Sequence, residues 1–186
     1  MRSAAFEQRY RDDPDPWRYR TSAYERAKYD ATLDACGAGP FTAALELGGS
    51  IGVFSAHLAP RCRALTTIDF APTAVRMARQ ELAPYPQAQA IVGEIPAAIP
   101  DRRFDLVLAS EVLYYLDARS LTRTLEALER RIVAGGRLVA VHWLTPGPER
   151  PLPAERVHEL IRGRPWLRLL RDSSNADYLL DVLERA

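Results

Sequence analysis

The segment Glu46-Leu-Gly-Gly-Ser-Ile-Gly52 constrains this chain more than any other. It ends a nearly continuous apolar run, Thr42 to Leu47, and a helical pattern follows it. Such a run reads as a strand buried on both faces. Glycines at a strand-to-helix turn let the backbone approach a ligand closely. The dinucleotide fingerprint G-x-G-x-x-G does not fit, because its second and third glycines would fall on Ser50 and Val53. A nicotinamide-dependent reductase is therefore disfavoured. A Walker loop needs G-K-[ST], which is absent. Alone, the segment reads equally well as a ligand cradle or as a plain tight turn.

Its surroundings place it in an α/β fold. Phe104 to Ala109 and Arg137 to His142 are further apolar runs, and Ala64 to Asp69 and Ala88 to Val92 are weaker strand candidates. Helical patterns alternate with them. Pro72 to Ala83 carries Ala74, Val75, Ala78 and Leu82 on one face after an opening proline. Leu121 to Val133 spaces Leu121, Leu125, Leu128 and Ile132 helically and is expected to stop at Gly135-Gly136. Pro153 to Ile161 is a shorter helix. This alternation predicts βαβ units and a mostly parallel sheet covered on both faces. At the end, Trp166 to Arg171, a turn at Asp172 to Asn175, and Asp177 to Leu183 read as an antiparallel hairpin. The 186 residues suit a single domain, with a helical N-terminal part (1–38) and a core (39–186).

Three acids sharpen the reading of the loop. Asp69 ends the second strand roughly 20 residues after the glycines, where a carboxylate accepts hydrogen bonds from ribose hydroxyls; it could equally cap the helix that starts near Pro72. Gly93-Glu94-Ile95 follows the third strand, and Ser110-Glu111 follows the fourth. Ligands of open α/β sheets bind at this carboxyl edge. The formal net charge of +1 offers no electrostatic reason to bind nucleic acid or anionic lipid. No apolar run approaches the ~20 residues of a membrane span. The polar N-terminus does not read as a signal peptide. Cys36 and Cys62 form no metal-ligand cluster, the three histidines are scattered, and no metal is expected. Two idle thiols fit a cytoplasmic protein.

The loop fits the methyltransferase pattern E/D-x-G-x-G-x-G, with Ser50 in place of the middle glycine. The chain also resembles the NodS-type methyltransferases in Asp13-Pro-Asp-Pro-Trp17, Ser22-Ala-Tyr-Glu-Arg-Ala-Lys-Tyr29, Ser110-Glu-Val-Leu-Tyr-Tyr-Leu116, Gly135-Gly-Arg-Leu138, Val141-His142-Trp143 and Asp177-Tyr-Leu-Leu-Asp181. Gly49 departs mildly, since a Cys is common there. The resemblance implies a Rossmann-like class I methyltransferase fold, with a mostly parallel seven-stranded sheet and a C-terminal antiparallel hairpin. It also implies S-adenosylmethionine (SAM) as cofactor and a small-molecule amine, such as an amino sugar or oligosaccharide, as acceptor. The alternatives are an O-methyltransferase of a sugar or natural product, and a SAM-binding protein without activity.

On this reading the N-terminal helices form a lid, with Tyr10 and Trp17 over the cofactor. Glu46, Gly48, Gly49 and Ser50 cradle it, Asp69 meets the ribose, Phe70 is a further cofactor contact, and Gly93, Glu94 and Ile95 meet the adenine. Ser110 lies where the methionine part and the acceptor meet. An amine must be neutral to attack, so a proton acceptor is expected nearby. Glu111 is the first choice, and Tyr114, Tyr115 and His142 are the others. The Thr145 to Pro151 loop is expected to wall the acceptor site.

Overall fold

The computed structural model describes residues 2–186; Met1, the start of the polar N-terminal stretch, lies outside them. Seven strands form one sheet: β1 (Ala44–Leu47), β2 (Leu65–Asp69), β3 (Ala88–Val92), β4 (Phe104–Ser110), β5 (Ile132–Trp143), β6 (Leu167–Asp172) and β7 (Tyr178–Arg185). Their order across the sheet is β3-β2-β1-β4-β5-β7-β6. Pairing is parallel from β3 through β5, while β7 runs antiparallel to both β5 and β6. This is the mostly parallel sheet with a C-terminal hairpin that the sequence predicts. The chain builds outward from β1 to β3, then returns to place β4 on the other side of β1. That reversal opens a crevice at the carboxyl ends of β1 and β4.

Six α-helices accompany the sheet: α1 (Arg2–Asp12), α2 (Ala23–Cys36), α3 (Val53–Leu58), α4 (Pro72–Glu81), α5 (Ala118–Glu129) and α6 (Ala154–Arg162). On one face, Leu121, Leu125 and Leu128 of α5 and Val157 and Ile161 of α6 pack with Phe104 and Leu138. On the other, α2, α3 and α4 supply Cys36, Phe54, Leu58, Val75 and Ala78. β1 is buried along its whole length, as a central parallel strand should be. Two helix starts follow from short polar side chains: Ser22 Oγ accepts from Glu25 N, and Asp117 Oδ1 accepts from Ser120 N. No helix among the described residues is long and apolar enough to cross a membrane.

One predicted boundary is corrected. α5 ends at Glu129, and Ile132 opens β5, where it pairs with Phe104. Ile132 keeps helical spacing with Leu128, so periodicity alone runs the helix one turn too far. The glycines that seemed to stop a helix lie inside the strand instead. Gly135 takes a left-handed φ of +74°, beside a register shift between Phe104 and Leu106. They mark a bulge.

Gly52 fixes the approach of α3 to α4. Its φ is +83°, and a Cβ there would sit 2.8 Å from the Ala78 Cα. Gly52→Ala therefore adds a left-handed penalty to an overpacked contact, together costing about 2–4 kcal/mol. Urea denaturation should show the loss; an unchanged midpoint would mean that the two helices can separate freely.

Candidate active site

The crevice at the carboxyl edge is a cavity lined from both halves of the sheet. Tyr10, Trp17, Glu46, Gly48, Gly49, Ser50, Asp69, Phe70, Gly93, Ile95, Ser110, Glu111 and Tyr114 all contribute to its walls. The structure thus brings together every sequence-nominated residue except Glu94 and His142.

At the β1–β2 end, the loop is built around Asp69. Its Oδ2 accepts from Ser50 N at 3.0 Å and its Oδ1 from Ala71 N at 2.9 Å. Asp69 therefore fixes the turn that leads into α4, whose N-cap is Ala71 with no side-chain cap bond, and ties down the glycine loop while still facing the cavity. Burial raises its pKa to about 6, against the lowering effect of the backbone donors Ala71, Ser50 and Phe70. Ser50 stands at φ +50°, a left-handed position that costs a non-glycine residue on the order of 1 kcal/mol. Its hydroxyl has a use that glycine could not supply, a 2.6 Å hydrogen bond with the Tyr10 hydroxyl. Gly48 has φ +74°, and a Cβ there would meet the Val112 side chain at 2.7 Å. At Gly49 the space is held by the Thr67 hydroxyl, 1.7 Å from where a Cβ would stand, so a Cys would require that side chain to turn. Buried Glu46 accepts from the Ser55 hydroxyl, and burial raises its pKa. Glu46 thus helps anchor the start of α3.

The N-terminal segment roofs this end with aromatic rings. Trp17 lies 5.9 Å from Phe6, 5.4 Å from Tyr10 and 5.8 Å from Tyr19, ring centre to ring centre. Trp17 therefore both packs the N-terminal segment and lines the cavity. Glu7 of α1 accepts from Thr73 N and Oγ1, joining α1 to the start of α4.

At the β4–β5 end, Glu111 is the centre. It too is left-handed, at φ +55°. Its Oε1 accepts from Lys28 Nζ at 3.0 Å, and its Oε2 accepts from the Tyr114 hydroxyl and from Trp143 N at 3.2 Å. Lys28 is only 4% exposed and also meets the Glu25 carboxylate at 3.1 Å. Burial alone would lower the Lys28 pKa; Glu111 and Glu25 outweigh it and hold the ammonium above its usual value. Burial raises the Glu25 carboxyl, with Lys28 opposing. Burial, then the Glu111 charge, pushes the Tyr114 phenol up, which keeps it a donor.

Lys28, Glu25 and Arg150 were not read from the sequence as site residues. For Lys28 one signal was available: it is the only lysine in a chain of otherwise arginine bases. A compact ammonium fits between two carboxylates where a planar guanidinium fork would not. The other two carry no local signature.

Two expectations are corrected. Glu94 is exposed, while its neighbours Gly93 and Ile95 line the cavity. β3 has ended at Val92, and the loop that follows puts Gly93 and Ile95 on the cavity wall but leaves Glu94 exposed. His142 is fully buried and does not line the cavity. Its Nε2 accepts from Leu113 N at 3.1 Å, which leaves the ring proton on Nδ1. Nδ1 lies 3.0 Å from His158 Nε2, and His158 Nδ1 lies 2.8 Å from Asp181 Oδ2. Arg162 closes the chain on both Asp181 oxygens, at 2.5 and 2.7 Å. Every donor thus finds an acceptor only if both imidazoles are neutral Nδ1–H tautomers. Burial, reinforced by His158, holds the His142 pKa well below its ordinary value. A ring so engaged cannot serve as a base; it props the 3-10 turn Leu113–Tyr115 that presents Tyr114. His142→Leu orphans Leu113 N–H and His158 Nε2 and should cost about 3 kcal/mol. His142→Gln should recover part of this by keeping an acceptor and a donor; equal stability of the leucine variant and the parent in urea would refute the chain.

Comparison with known proteins follows the same lines. The sequence pattern of the family described as Nodulation protein S (NodS) matches residues 4–140. Nodulation protein S of Sinorhizobium fredii is 37% identical over 111 residues, 59% of this chain and 51% of that protein. The Rhizobium tropici protein of the same name is 34% identical over 127 residues, 67% of this chain and 53% of the relative. The chain therefore spans about half the length of these curated relatives. The crystal structure of the N-methyltransferase NodS from Bradyrhizobium japonicum, in complex with S-adenosyl-L-homocysteine (SAH), superposes with a TM-score of 0.88 at 25% identity. That match covers 100% of this chain and 99% of that one.

Proposed function

The chain belongs to the Nodulation protein S family, and we propose from that premise that it transfers a methyl group from SAM to the amine of a small molecule such as an amino sugar. One observation carries the reading. A single cavity joins an acid-and-glycine end at β1–β3 to a donor-loaded carboxylate, Glu111, at the end of β4.

The residues suit the cofactor. Asp69 meets three backbone donors, Ser50, Ala71 and Phe70, and a carboxylate has about four acceptor sites, so room remains for a ribose hydroxyl. Gly48, at φ +74°, lets the loop pack against Val112, where a side chain would clash at 2.7 Å. Phe70 and Ile95 offer apolar surface for a purine ring. When bound, SAM supplies an electrophilic methyl on a charged sulfur, so alignment of the nucleophile is the main task, worth up to ~7–11 kcal/mol.

The protein's own groups then have distinct tasks. Tyr10 and Trp17 exclude water from above. Glu111 accepts a hydrogen bond from the acceptor amine and takes the proton the amine must lose, a contribution of about 10²–10⁴-fold in general base catalysis. Tyr114 and Lys28 hold that carboxylate in place.

The test is turnover of SAM with deacetylated chitooligosaccharides, monomeric amino sugars and aminoglycosides, read by SAH release and product mass. An amine product heavier by one methylene is expected. Transfer to hydroxyls alone would make the protein an O-methyltransferase. Tight SAH binding with no transfer to any acceptor would make it a SAM-binding protein without activity.

A further inference from the structure

We propose that the acceptor carries an oxyanion, phosphate or carboxylate, beside its amine, and that Arg150 receives it. This rests on the methyl-transfer reading above and names the acceptor's class more closely.

The cavity's two basic side chains, Lys28 and Arg150, are placed very differently. Lys28 has two carboxylates within 3.1 Å. Arg150 also lines the cavity but makes no ion pair with a carboxylate within 4.0 Å among the described residues. Nor is it loosely solvated. Its Cζ stands 4.1 Å from the centre of the Tyr114 ring, 5.4 Å from Trp143 and 5.9 Å from Tyr115. Its Nη1 donates to the Thr145 carbonyl at 2.5 Å, and the Tyr115 hydroxyl accepts from the guanidinium. Those contacts leave part of a five-donor fork unspent. A guanidinium held over an aromatic ring and tied to the Thr145 carbonyl has already lost much of its freedom. It can meet a phosphate or carboxylate in two parallel hydrogen bonds at little further entropic cost.

Position assigns this group to the acceptor. Arg150 follows β5, on the far side of β4 from the glycine loop and Asp69. Its near neighbour Tyr114 donates to Glu111. One aromatic ring therefore separates a carboxylate, suited to an amine, from a guanidinium, suited to an anion. Glu111 makes no direct ion pair with Arg150; its close cation is Lys28, at 3.0 Å. The pair complements a small molecule carrying both charges a few ångströms apart.

The experiment compares the parent with Arg150→Met, which keeps the aliphatic stem and loses the charge. Acceptors are glucosamine, glucosamine 6-phosphate and muramic acid, so that phosphate and carboxylate are separate arms. A charge-assisted pair predicts that the parent prefers at least one anionic amine over glucosamine by about tenfold or more in kcat/KM. In Arg150→Met that ratio should fall to near one. A binding arm uses N-acetylglucosamine 6-phosphate, which has no free amine, titrated calorimetrically into the SAH complex. It should bind the parent and lose about tenfold or more in the variant, whereas inorganic phosphate should not reproduce the effect. An unchanged anionic preference in Arg150→Met overturns the proposal, and so does its absence from the parent. A loss of SAH affinity in the variant overturns it too, by assigning Arg150 to the cofactor's own carboxylate. If no amine is methylated at all, the functional reading fails, and the binding arm still decides the role of Arg150.

Discussion

Glu111→Gln should lower kcat by about 10²–10³-fold while leaving SAH affinity nearly unchanged. The reason lies in what surrounds the carboxylate. Lys28 Nζ, the Tyr114 hydroxyl and Trp143 N are all donors, and Glu111 is their common acceptor. Gln offers one oxygen and one amide nitrogen. With the oxygen toward Tyr114 and Trp143, the nitrogen faces an ammonium, donor against donor. The variant thus loses a proton acceptor and also disturbs its setting. The two effects are separated by Lys28→Met/Glu111→Gln, in which the opposing donor is gone. If Glu111 serves the amine, the double variant stays as slow as the single one. Recovered turnover would mean that Glu111 matters only as a counter-charge for Lys28. The pair's burial makes this worth checking, because removing one partner of a buried ion pair often costs about 3–5 kcal/mol. Thermal melts must therefore accompany the kinetics.

Much of the architecture was legible because of how parallel sheets are covered. Strands with helices on both faces must be apolar on both sides, so β1 and β4 stand out as runs rather than alternations. Ser50, Asp69, Gly48 and Glu111 were legible because a strand's carboxyl end is where backbone geometry leaves room for a ligand. The errors have equally local causes. Ile132 sits in phase with α5, so its membership of β5 depends on pairing with Phe104, a contact across 28 residues of sequence. Glu94 falls in the loop after β3, whose path no local pattern sets, and it stands exposed beside the cavity wall. His142 was expected at an open edge, whereas Leu113 N and His158 close over both its nitrogens. Lys28 owes its place to Glu111, 83 residues away, and no window of sequence contains both. Arg150 depends likewise on three rings drawn from two segments. The scaffold follows from local pattern. The acceptor wall follows from pairings that exist only once the sheet has formed.

Asp69 is expected to control cofactor affinity both by its presence and by its charge. Asp69→Ala removes a charge-assisted acceptor from the ribose, worth about 1.5–3 kcal/mol, so SAH affinity should fall by at least about tenfold. It also orphans Ser50 N–H and Ala71 N–H, loosening a loop already held at a left-handed residue. The pH dependence isolates the charge. Burial lifts the Asp69 pKa to about 6, above the usual carboxylate range. A ribose hydroxyl donates to the ionised form, so SAH binding draws that pKa down. By linkage, affinity is then flat above neutral pH and falls as pH drops through about 6. The decline approaches tenfold per unit, each pKa unit being about 1.36 kcal/mol. Asp69→Asn keeps the shape, retains one acceptor oxygen and does not titrate. Its affinity should be lower than the parent's at pH 8 and level across pH 5 to 8. Calorimetric titrations of SAH over that window decide the matter. A parent whose affinity does not change between pH 7 and pH 5, or an asparagine variant that keeps the acid decline, would move the titrating group away from Asp69.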